Sequence, residues 1–281
     1  MQSKSGKGVS SVRYIVAIAA GKGGVGKSSI SVGLALALQS LGYSVGVLDA
    51  DLYGPSIGRM LPLDCPIGRT PEGDFLIPGE FQGLKAFSIA HLKEEGEAMI
   101  VRAPIVNGLI LQCVKDVDWG ELDYLFVDFP PGTGDIQLTL MQEMSFFAAI
   151  LVTTPQEIAV LDVRKAAQMF HYMGVPILGV IENMAYFEDM ITGKRHALFG
   201  EGGGERLAAS LGIPLLEQVP IDPNLCLSGD EGKNIIKDFS NTPAARHLHN
   251  AAKEVSNRLF MLEELAGDYL KEFALVWEDM D

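Results

Sequence analysis

One stretch of the 281-residue sequence decides the fold: Gly21-Lys22-Gly23-Gly24-Val25-Gly26-Lys27-Ser28. Its spacing is G-x-x-x-x-G-K-[ST], which is typical of loops that wrap phosphate groups. A seven-residue apolar run, Tyr14 to Ala20, precedes it, and a helix-like segment, Ser28 to Leu41, follows. This order suits phosphate binding because glycines let backbone N–H groups turn inward and a helix N-terminus favours an anion. The sequence therefore predicts a nucleotide site at the start of the first helix.

Short apolar runs alternate with helix-like segments along the rest of the chain. This alternation predicts an α/β fold, a doubly wound, mainly parallel sheet with helices on both faces. Several runs are almost continuously apolar, as expected for strands that are covered on both sides. The predicted strands are Tyr14 to Ala20, Ser44 to Asp49, Tyr124 to Asp128, Ala148 to Thr153, Ile177 to Ile181 and Leu215 to Val219. The predicted helices are Ser28 to Leu41, Ile136 to Met144, Glu157 to Met173, Glu205 to Leu211 and Pro243 to about Phe273.

No composition shift or long linker divides the chain, so we expect a single domain over residues 1–281. Residues 1–13 are polar and are predicted to be a flexible N-terminus, and residues 241–281 to form a C-terminal helix with an acidic tail. Met60 to Pro104 is rich in Gly and Pro and predicts one or two hairpins with loops. The alternative is a surface insertion with no chemistry of its own.

The charge balance and the cysteines limit the environment in which the protein works. The formal net charge of -14 argues against binding to nucleic acid or to an anionic membrane surface, since these are polyanions. Three cysteines, Cys65, Cys113 and Cys226, form no C-x-x-C pair and predict reduced thiols rather than disulfides. No signal-peptide pattern and no run of about 18 apolar residues is present. We therefore expect a cytoplasmic protein.

Two side chains of the phosphate loop have predicted roles in binding ATP and Mg²⁺. Lys27 is predicted to be catalytic by reaching the β- and γ-phosphates of ATP, and the Ser28 hydroxyl to be a direct Mg²⁺ ligand. The predicted nucleotide-binding residues of this region are Gly21, Lys22, Gly23, Gly24, Val25, Gly26, Lys27, Ser28 and Ser29.

Acidic residues follow two further apolar strands, and open α/β sheets bind ligands at such strand ends. Asp49 ends one strand and Asp51 begins the next loop. We assign Asp51 to orienting the attacking water and Asp49 to contacting Mg²⁺ through water. The alternative for either residue alone is a turn residue or helix N-cap.

A second acidic segment has the Walker B pattern, in which an apolar strand ends in an aspartate. Here the strand ends at Asp128, which is predicted to contact Mg²⁺ through water. The next residues are Phe129-Pro130-Pro131-Gly132-Thr133-Gly134-Asp135. A stiff Pro-Pro pair before glycines suits a loop with two discrete positions. We expect the amide near Gly132 to sense the γ-phosphate.

The second lysine of the loop, Lys22, makes it resemble the deviant Walker A class, which includes MinD, ParA, the nitrogenase iron protein and the Mrp/ApbC proteins. The resemblance implies a homodimer that closes around two ATP molecules. It also implies that Lys22 is catalytic by reaching the partner's nucleotide. The alternative is a solvated surface lysine.

Other segments resemble the Mrp/ApbC family within this class, and the resemblance covers about Tyr14 to Lys237. It implies a dimeric ATPase that carries iron–sulfur clusters, or acts as their scaffold, for client proteins. It further implies that Asn183 reads the adenine edge beside the loop containing Pro220 and Asp222, whereas Asn183 is alternatively a cap or turn residue. The matching segments are Asp49 to Ser56, Trp119 to Tyr124, Asp128 to Asp135 and Gly179 to Met184.

The sequence departs from this family at the cluster ligands. Members usually carry C-x-x-C after Glu-Asn-Met, but here Asp189 and Thr192 stand at those positions. Hard oxygen ligands do not replace soft thiolates, so the sequence predicts that a family-type cluster is not held here. One alternative is a site with Cys226 from each subunit, and another is a different metal on Asp189 and His196.

Two other functions stay open at this point. One is a MinD- or ParA-like positioning ATPase, although the amphipathic segment Leu262 to Phe273 is acidic and membrane-surface helices favour Lys and Arg. The other is an ATP-dependent partner-binding switch without catalysis, against which the presence of Lys22, Lys27 and Asp51 argues.

Overall fold

The computed structural model describes residues 8–92, 108, 114–189 and 191–278. The strands are β1 Val12–Ala20, β2 Val45–Asp49, β3 Gly68–Arg69, β4 Leu76–Ile77, β5 Gly79–Phe81, β6 Leu84–Phe87, β7 Leu122–Asp128, β8 Ala148–Thr153, β9 Ile177–Glu188, β10 Arg195–His196 and β11 Leu215–Ile221. The helices are α1 Lys27–Ser40, α2 Ile57–Met60, α3 Asp135–Glu143, α4 Glu157–Tyr172, α5 Gly203–Leu211, α6 Pro223–Glu231, α7 Ile235–Asp238 and α8 Pro243–Glu278, with a 3₁₀ helix at Ile89–Leu92.

Strand β1 lies near the middle of the main sheet, which has nine strands within the described residues. It pairs in parallel with β7 on one side and β8 on the other. The order is β10-β9-β8-β1-β7-β2-β6-β5, and β11 also pairs with β9. Within the described part of this sheet, only two pairs are antiparallel, β5 with β6 and β10 with β9. The predicted doubly wound, mainly parallel sheet is confirmed.

Helices cover both faces of this sheet, and each face has its own apolar core. Alternate residues of β1 point to opposite faces, so Val16 and Ile18 belong to one core and Ala17 to the other. The first core lies under α1 and α8, and includes Leu34 and Leu248. The second lies under α3, α4 and α5. Because both faces are buried, the strands are almost continuously apolar.

Most predicted element bounds agree with the structure, and the differences have physical causes. The strand predicted for 177–181 continues to Glu188, because its second half pairs with β11 and β10. Strand β1 begins at Val12, so the predicted flexible segment 1–13 includes its first two residues. The short helices α6 and α7 were not predicted, although Asp222-Pro223 has the pattern of an N-cap followed by proline at the first helical position.

The segment rich in Gly and Pro contains two hairpins, as predicted. Strands β3 and β4 form a separate two-stranded sheet, whereas β5 and β6 join the main sheet because β6 pairs in parallel with β2. Residues 93–104 lie outside the described part of the chain. The second hairpin is therefore part of the sheet that positions the site, and is not a surface insertion.

The last helix, α8, extends from Pro243 to Glu278, five residues past the predicted end at Phe273. It packs against α1 and β11. Among the helices of the described residues, none is long and apolar enough to cross a membrane.

Candidate nucleotide site

The phosphate loop connects β1 to α1, and two glycines are required there for different reasons. Gly26 is the N-cap of α1 and has φ +80°, which favours glycine. A Cβ on Gly26 would also lie 2.1 Å from Asn183 Nδ2. A Cβ on Gly21 would lie 2.1 Å from the backbone of Asp162 in α4. Gly21 therefore permits close packing of the loop on α4, whereas Gly26 permits the turn that begins α1.

At the start of α1, Lys27, Ser28 and Ser31 converge on Asp128 at the end of β7. The Lys27 Nζ donates to Asp128 Oδ2 at 2.7 Å, and the Ser28 Oγ donates to the same oxygen at 2.6 Å. The Ser31 Oγ donates to Asp128 Oδ1 at 2.6 Å. Asp128 is completely buried and Lys27 is 7% exposed. The predicted Walker A and Walker B residues are thus in direct contact.

Asp49 lies beside Asp128, because the register of β2 and β7 pairs the two residues. Its carboxylate accepts from Asp51 N at 3.1 Å, Ile57 N at 3.2 Å and Ser88 Oγ at 2.9 Å. Burial, and then the negative charge of Asp128, raise the pKa of Asp49 to about 7. Two buried carboxylates therefore lie side by side.

Asp51 lies at the edge of this cluster, in the loop between β2 and α2. Its Oδ2 is 4.0 Å from Lys27 Nζ, and its side chain is 16% exposed. Burial raises the pKa of Asp51, and the Lys27 ammonium opposes that rise. Asp51 thus lies close to Lys27, the lysine predicted to bind the phosphates, which agrees with its own predicted role beside the γ-phosphate.

The group of oxygen ligands fits a divalent cation such as Mg²⁺. Hydroxyl and carboxylate oxygens, here from Ser28, Asp49 and Asp128, are the hard ligands that Mg²⁺ prefers. Lys27 supplies positive charge to these carboxylates. A bound divalent cation would offset the repulsion that raises the pKa of Asp49. These three residues remain the predicted metal ligands, with Ser28 direct and the carboxylates through water.

The predicted switch loop is held at both ends by hydrogen bonds. The amide of Gly132 donates to the carbonyl of Ala20, at the end of β1, at 3.2 Å. Gln137, which is 4% exposed, accepts from Gly134 N at 2.8 Å and donates to Pro130 O at 3.1 Å and Pro131 O at 2.8 Å. For the Gly132 amide to sense a γ-phosphate, its bond to Ala20 must break.

Lys22 is half-buried and precedes the two exposed glycines of the loop, Gly23 and Gly24. Its Nζ donates to Gln156 Oε1, just before α4, at 3.4 Å. Both residues line a small cavity that is also bounded by Thr154, Met184 and Phe199. Lys22 therefore contacts Gln156, whereas Lys27 contacts Asp128.

Asn183, predicted to read adenine, lies against the phosphate loop and is 2% exposed. Its Nδ2 donates to the carbonyl of Val25 at 2.9 Å. Strand β11 pairs with β9 so that Val219 is opposite Asn183, which places Pro220 one strand away. The three predicted adenine residues, Asn183, Pro220 and Asp222, therefore belong to one edge of the sheet, and their contact with a base stays a prediction.

Asp222 has a structural role in addition to the predicted one. It is the N-cap of α6, where its Oδ1 accepts from Asn224 N at 2.9 Å. Its Oδ2 accepts from Ala244 N, in the first turn of α8, at 3.1 Å. Both carboxylate oxygens are therefore engaged by the protein.

We expect Asp222→Ala to lower the free energy of unfolding by about 2 kcal/mol, because a helix cap and a buried acceptor are lost together. Nucleotide affinity should change by less than about threefold. Urea denaturation and nucleotide titration measure the two effects. Asp230→Ala, an exposed acid on the same helix, is the matched control. Unchanged stability with weakened binding would instead show direct contact with the nucleotide.

The segment with Asp189 and Thr192 forms the turn between β9 and β10. Asp189 Oδ1 accepts from Ile191 N at 2.8 Å and Thr192 N at 3.2 Å, and the Thr192 Oγ1 accepts from Lys194 N at 3.4 Å. Asp189 Oδ1 and Thr192 Oγ1 are thus engaged by the turn itself. No group of three or more His, Cys, Asp or Glu that could hold a metal occurs within the described residues.

Of the cysteines, Cys65 and Cys226 are exposed and not in disulfides, and Cys113 lies outside the described residues. Cys226 lies in α6, and its Sγ is 3.7 Å from Asp230 Oδ2.

Sequence reasoning missed four side chains that the structure brings to the site. Ser31 follows Lys27 by four residues on α1, so helical spacing could have identified it. Gln137 follows the helix N-cap Gly134 by three residues, which is the spacing of a capping box, so it too could have been identified. Gln156 and Ser88 had no such signal, because each contacts a residue from another element.

Fold and site together define the class of protein. A phosphate loop with two lysines, followed by acids at the ends of β2 and β7 in a doubly wound sheet, is the arrangement of a P-loop NTPase.

The chain belongs to the ParA family in the form described as NUBPL iron-transfer P-loop NTPase, which matches residues 11–256. It is 44% identical over 254 residues to the iron–sulfur cluster carrier protein of Pseudomonas fragi, covering 90% of this chain and 88% of that protein. It is 41% identical over 270 residues to that of Pyrococcus horikoshii, covering 92% and 90%. The Mrp/ApbC resemblance is confirmed as membership of an iron–sulfur carrier family.

Solved structures agree with this assignment. The nucleotide-binding protein of Archaeoglobus fulgidus, in complex with ADP, superposes with a TM-score of 0.70 at 36% identity, covering 84% of this chain and 96% of that chain. The cell division ATPase MinD of Pyrococcus furiosus superposes with a TM-score of 0.63 at 22% identity, covering 87% and 99%. The likeness to MinD establishes the shared fold alone.

Proposed function

We propose that this protein hydrolyses ATP with Mg²⁺ as a homodimer and serves iron–sulfur assembly in the cytoplasm. One observation carries the hydrolytic part: Lys27 Nζ lies 2.7 Å from Asp128 and 4.0 Å from Asp51, with Ser28 bonded to the same Asp128 oxygen. Phosphoryl transfer to water needs positive charge on the phosphates, a metal and a group that places the water. Here Lys27 can supply the charge, Ser28 and Asp128 can hold the metal, and Asp51 can place the water. These residues lie close to one another.

The contacts suggest what each residue does when ATP binds. Lys27 exchanges its bond to Asp128 for the β- and γ-phosphates, because an ammonium favours the more highly charged partner. Asp128 keeps its bond to Ser31 and so stays oriented. Mg²⁺, when bound, neutralises the charge on the β- and γ-phosphates. Asp51 orients the attacking water and accepts hydrogen bonds from it.

The homodimer is inferred from Lys22. It contacts Gln156 and not the Asp128 cluster, and the neighbouring Gly23 and Gly24 are exposed, so a second subunit can approach this part of the loop. In this arrangement Lys22 completes the partner's site, and neither subunit is active alone. Closure of the dimer around two nucleotides also makes the handling of an iron–sulfur cluster, the cargo of this family, depend on ATP.

Phosphate release from ATP by the purified protein tests the proposed hydrolysis. We expect release in the presence of Mg²⁺ and none after chelation with EDTA. Absence of Mg²⁺-dependent release, in protein that binds ATP, would favour the non-catalytic partner-binding switch.

This chain differs from the Mrp/ApbC pattern at the residues that would hold the cargo, an iron–sulfur cluster. A bridging cluster of four irons needs four thiolates, two from each subunit. In this turn Asp189 Oδ1 and Thr192 Oγ1 already accept hydrogen bonds from backbone amides, and oxygens are hard ligands that do not replace thiolates. We infer that this turn holds no such cluster, and that client or scaffold proteins supply the cluster ligands.

Anaerobic reconstitution with iron and sulfide should therefore leave no cluster absorbance after desalting. The double variant Asp189→Cys/Thr192→Cys restores the thiolate pair and should gain absorbance and about four irons per dimer. Four irons per dimer that survive gel filtration of the unaltered protein would contradict the inference. Loss of that iron in Cys226→Ser would then identify Cys226 as a ligand.

A further inference from the structure

Ser88 links the second hairpin to the carboxylates of the nucleotide site. It follows β6, whose parallel register with β2 pairs Phe87 with Leu48 and so brings Ser88 next to Asp49. Ser88 is completely buried, and its Oγ donates to Asp49 Oδ2 at 2.9 Å. The same Oγ accepts from Ala90 N at 3.2 Å, which orients the hydroxyl hydrogen toward Asp49.

The His91 side chain holds the backbone amide of Ser88. Its Nδ1 accepts from Ser88 N at 3.2 Å and its Nε2 is 3.1 Å from the carbonyl of Leu61. An amide can only donate and a carbonyl can only accept, so the hydrogen is on Nε2 and the ring is neutral. Burial lowers the pKa of His91, which agrees with the neutral form.

These contacts close a ring around the loop that carries Asp51. Leu61 N donates to Ile57 O at 2.8 Å within the turn of α2, and Ile57 N donates to Asp49 Oδ2 at 3.2 Å. The ring therefore runs from Asp49 through Ser88, His91 and Leu61 to Ile57 and back. The residues between Asp49 and Ile57, which include Asp51, are held at both ends. We call Ser88, His91 and Leu61 the brace.

We propose that Ser88 is a positioning residue for ATP hydrolysis, which holds Asp49 and, through the brace, the Asp51 loop in the orientation that the reaction needs. This inference rests on the proposed Mg²⁺-dependent hydrolysis. Ser88 does not touch the phosphate loop in this structure, so its effect should fall on the rate of the chemical step and not on nucleotide affinity.

The test compares Ser88→Ala with Ser228→Ala in steady-state hydrolysis. Ser228 is also buried, and its Oγ donates to Leu225 O at 2.9 Å, so its variant loses a buried hydroxyl outside the site. We expect Ser88→Ala to lower kcat about 10- to 100-fold, because a hydrogen bond to a carboxylate is lost. The KM for ATP and the Kd for ADP should change by less than about threefold. Ser228→Ala should keep the wild-type kcat.

A variant that restores the hydroxyl distinguishes a positioning role of Ser88 from a general loss of stability. Ser88→Thr keeps the hydroxyl and should recover kcat to within about threefold of the wild type. If Ser88→Ala does not fold, Ser88→Cys carries the test, because its thiol has nearly the same size but is a weaker donor, and its kcat must fall. Thermal unfolding of each variant identifies those that remain folded.

Two outcomes would overturn the inference. One is a folded Ser88→Ala with wild-type kcat, and the other is an equal loss of kcat and ADP affinity, which a purely structural role predicts. Failure of the proposed function is distinguishable, because the wild-type protein would then also lack Mg²⁺-dependent hydrolysis.

Discussion

Lys27→Ala is expected to lose ATP hydrolysis by at least about a hundredfold. The substitution removes the ammonium that would neutralise the β- and γ-phosphates. It also leaves Asp128 buried beside Asp49 without the ion pair at 2.7 Å. Hydrolysis is measured as phosphate release under saturating Mg²⁺ and ATP.

Stability must be measured with the same variant, because removing one partner of a buried ion pair costs about 3–5 kcal/mol. Lys85→Ala is the matched control, since Lys85 Nζ donates to the carbonyl of Trp119 at 2.6 Å and contacts no carboxylate of the site in the described structure. We expect this control to keep its turnover. A folded Lys27→Ala protein with wild-type turnover and ATP affinity would remove the assignment of the phosphate loop.

Lys22→Ala is expected to lose hydrolysis by at least about tenfold while nucleotide binding stays measurable. Lys22 contacts Gln156 and is separate from the Lys27–Asp128 pair, so the substitution leaves that cluster intact. Lys233→Ala, an exposed lysine paired with Glu231, is the control and should behave as the wild type.

Mixed dimers test whether Lys22 acts on the partner's nucleotide. A dimer of one Lys22→Ala and one Asp51→Ala subunit contains one complete site if Lys22 acts in trans, and none if it acts in cis. Random pairing of equal amounts should therefore restore about a quarter of the wild-type activity. No recovery, in a sample shown to contain mixed dimers, would rule out the trans arrangement.

Asp49 and Asp128 show what sequence patterns can predict about the site and what they cannot. The apolar runs that end at Asp49 and Asp128 predicted two acids at one edge of the sheet, and the structure brings them side by side. Their surroundings could not be predicted. The pKa of Asp49, raised to about 7, depends on burial and on the charge of Asp128, and both follow from packing.

Asn183 and Asp222 show the opposite case, in which the residue was identified but its contacts were not. Both were assigned to adenine by resemblance. The structure bonds Asn183 to Val25 and uses the Asp222 carboxylate to cap α6 and to bind the first turn of α8. The contacts of Asn183 with Val25 and of Asp222 with Ala244 join residues far apart in the chain, so no local spacing encodes them. The cap of α6 by Asp222 is local, and its pattern is present in the sequence.

The sequence by itself determined the phosphate loop, the class of fold, the position of most strands and the absence of the cysteine pair. Each of these depends on residues close together in the chain, where glycine conformation and the alternation of apolar runs act locally. Only the tertiary structure decided that Ser88 supports Asp49 and that Gly21 is needed for packing on α4. These contacts depend on strand register and helix packing, which are set by burial summed over the whole of both cores.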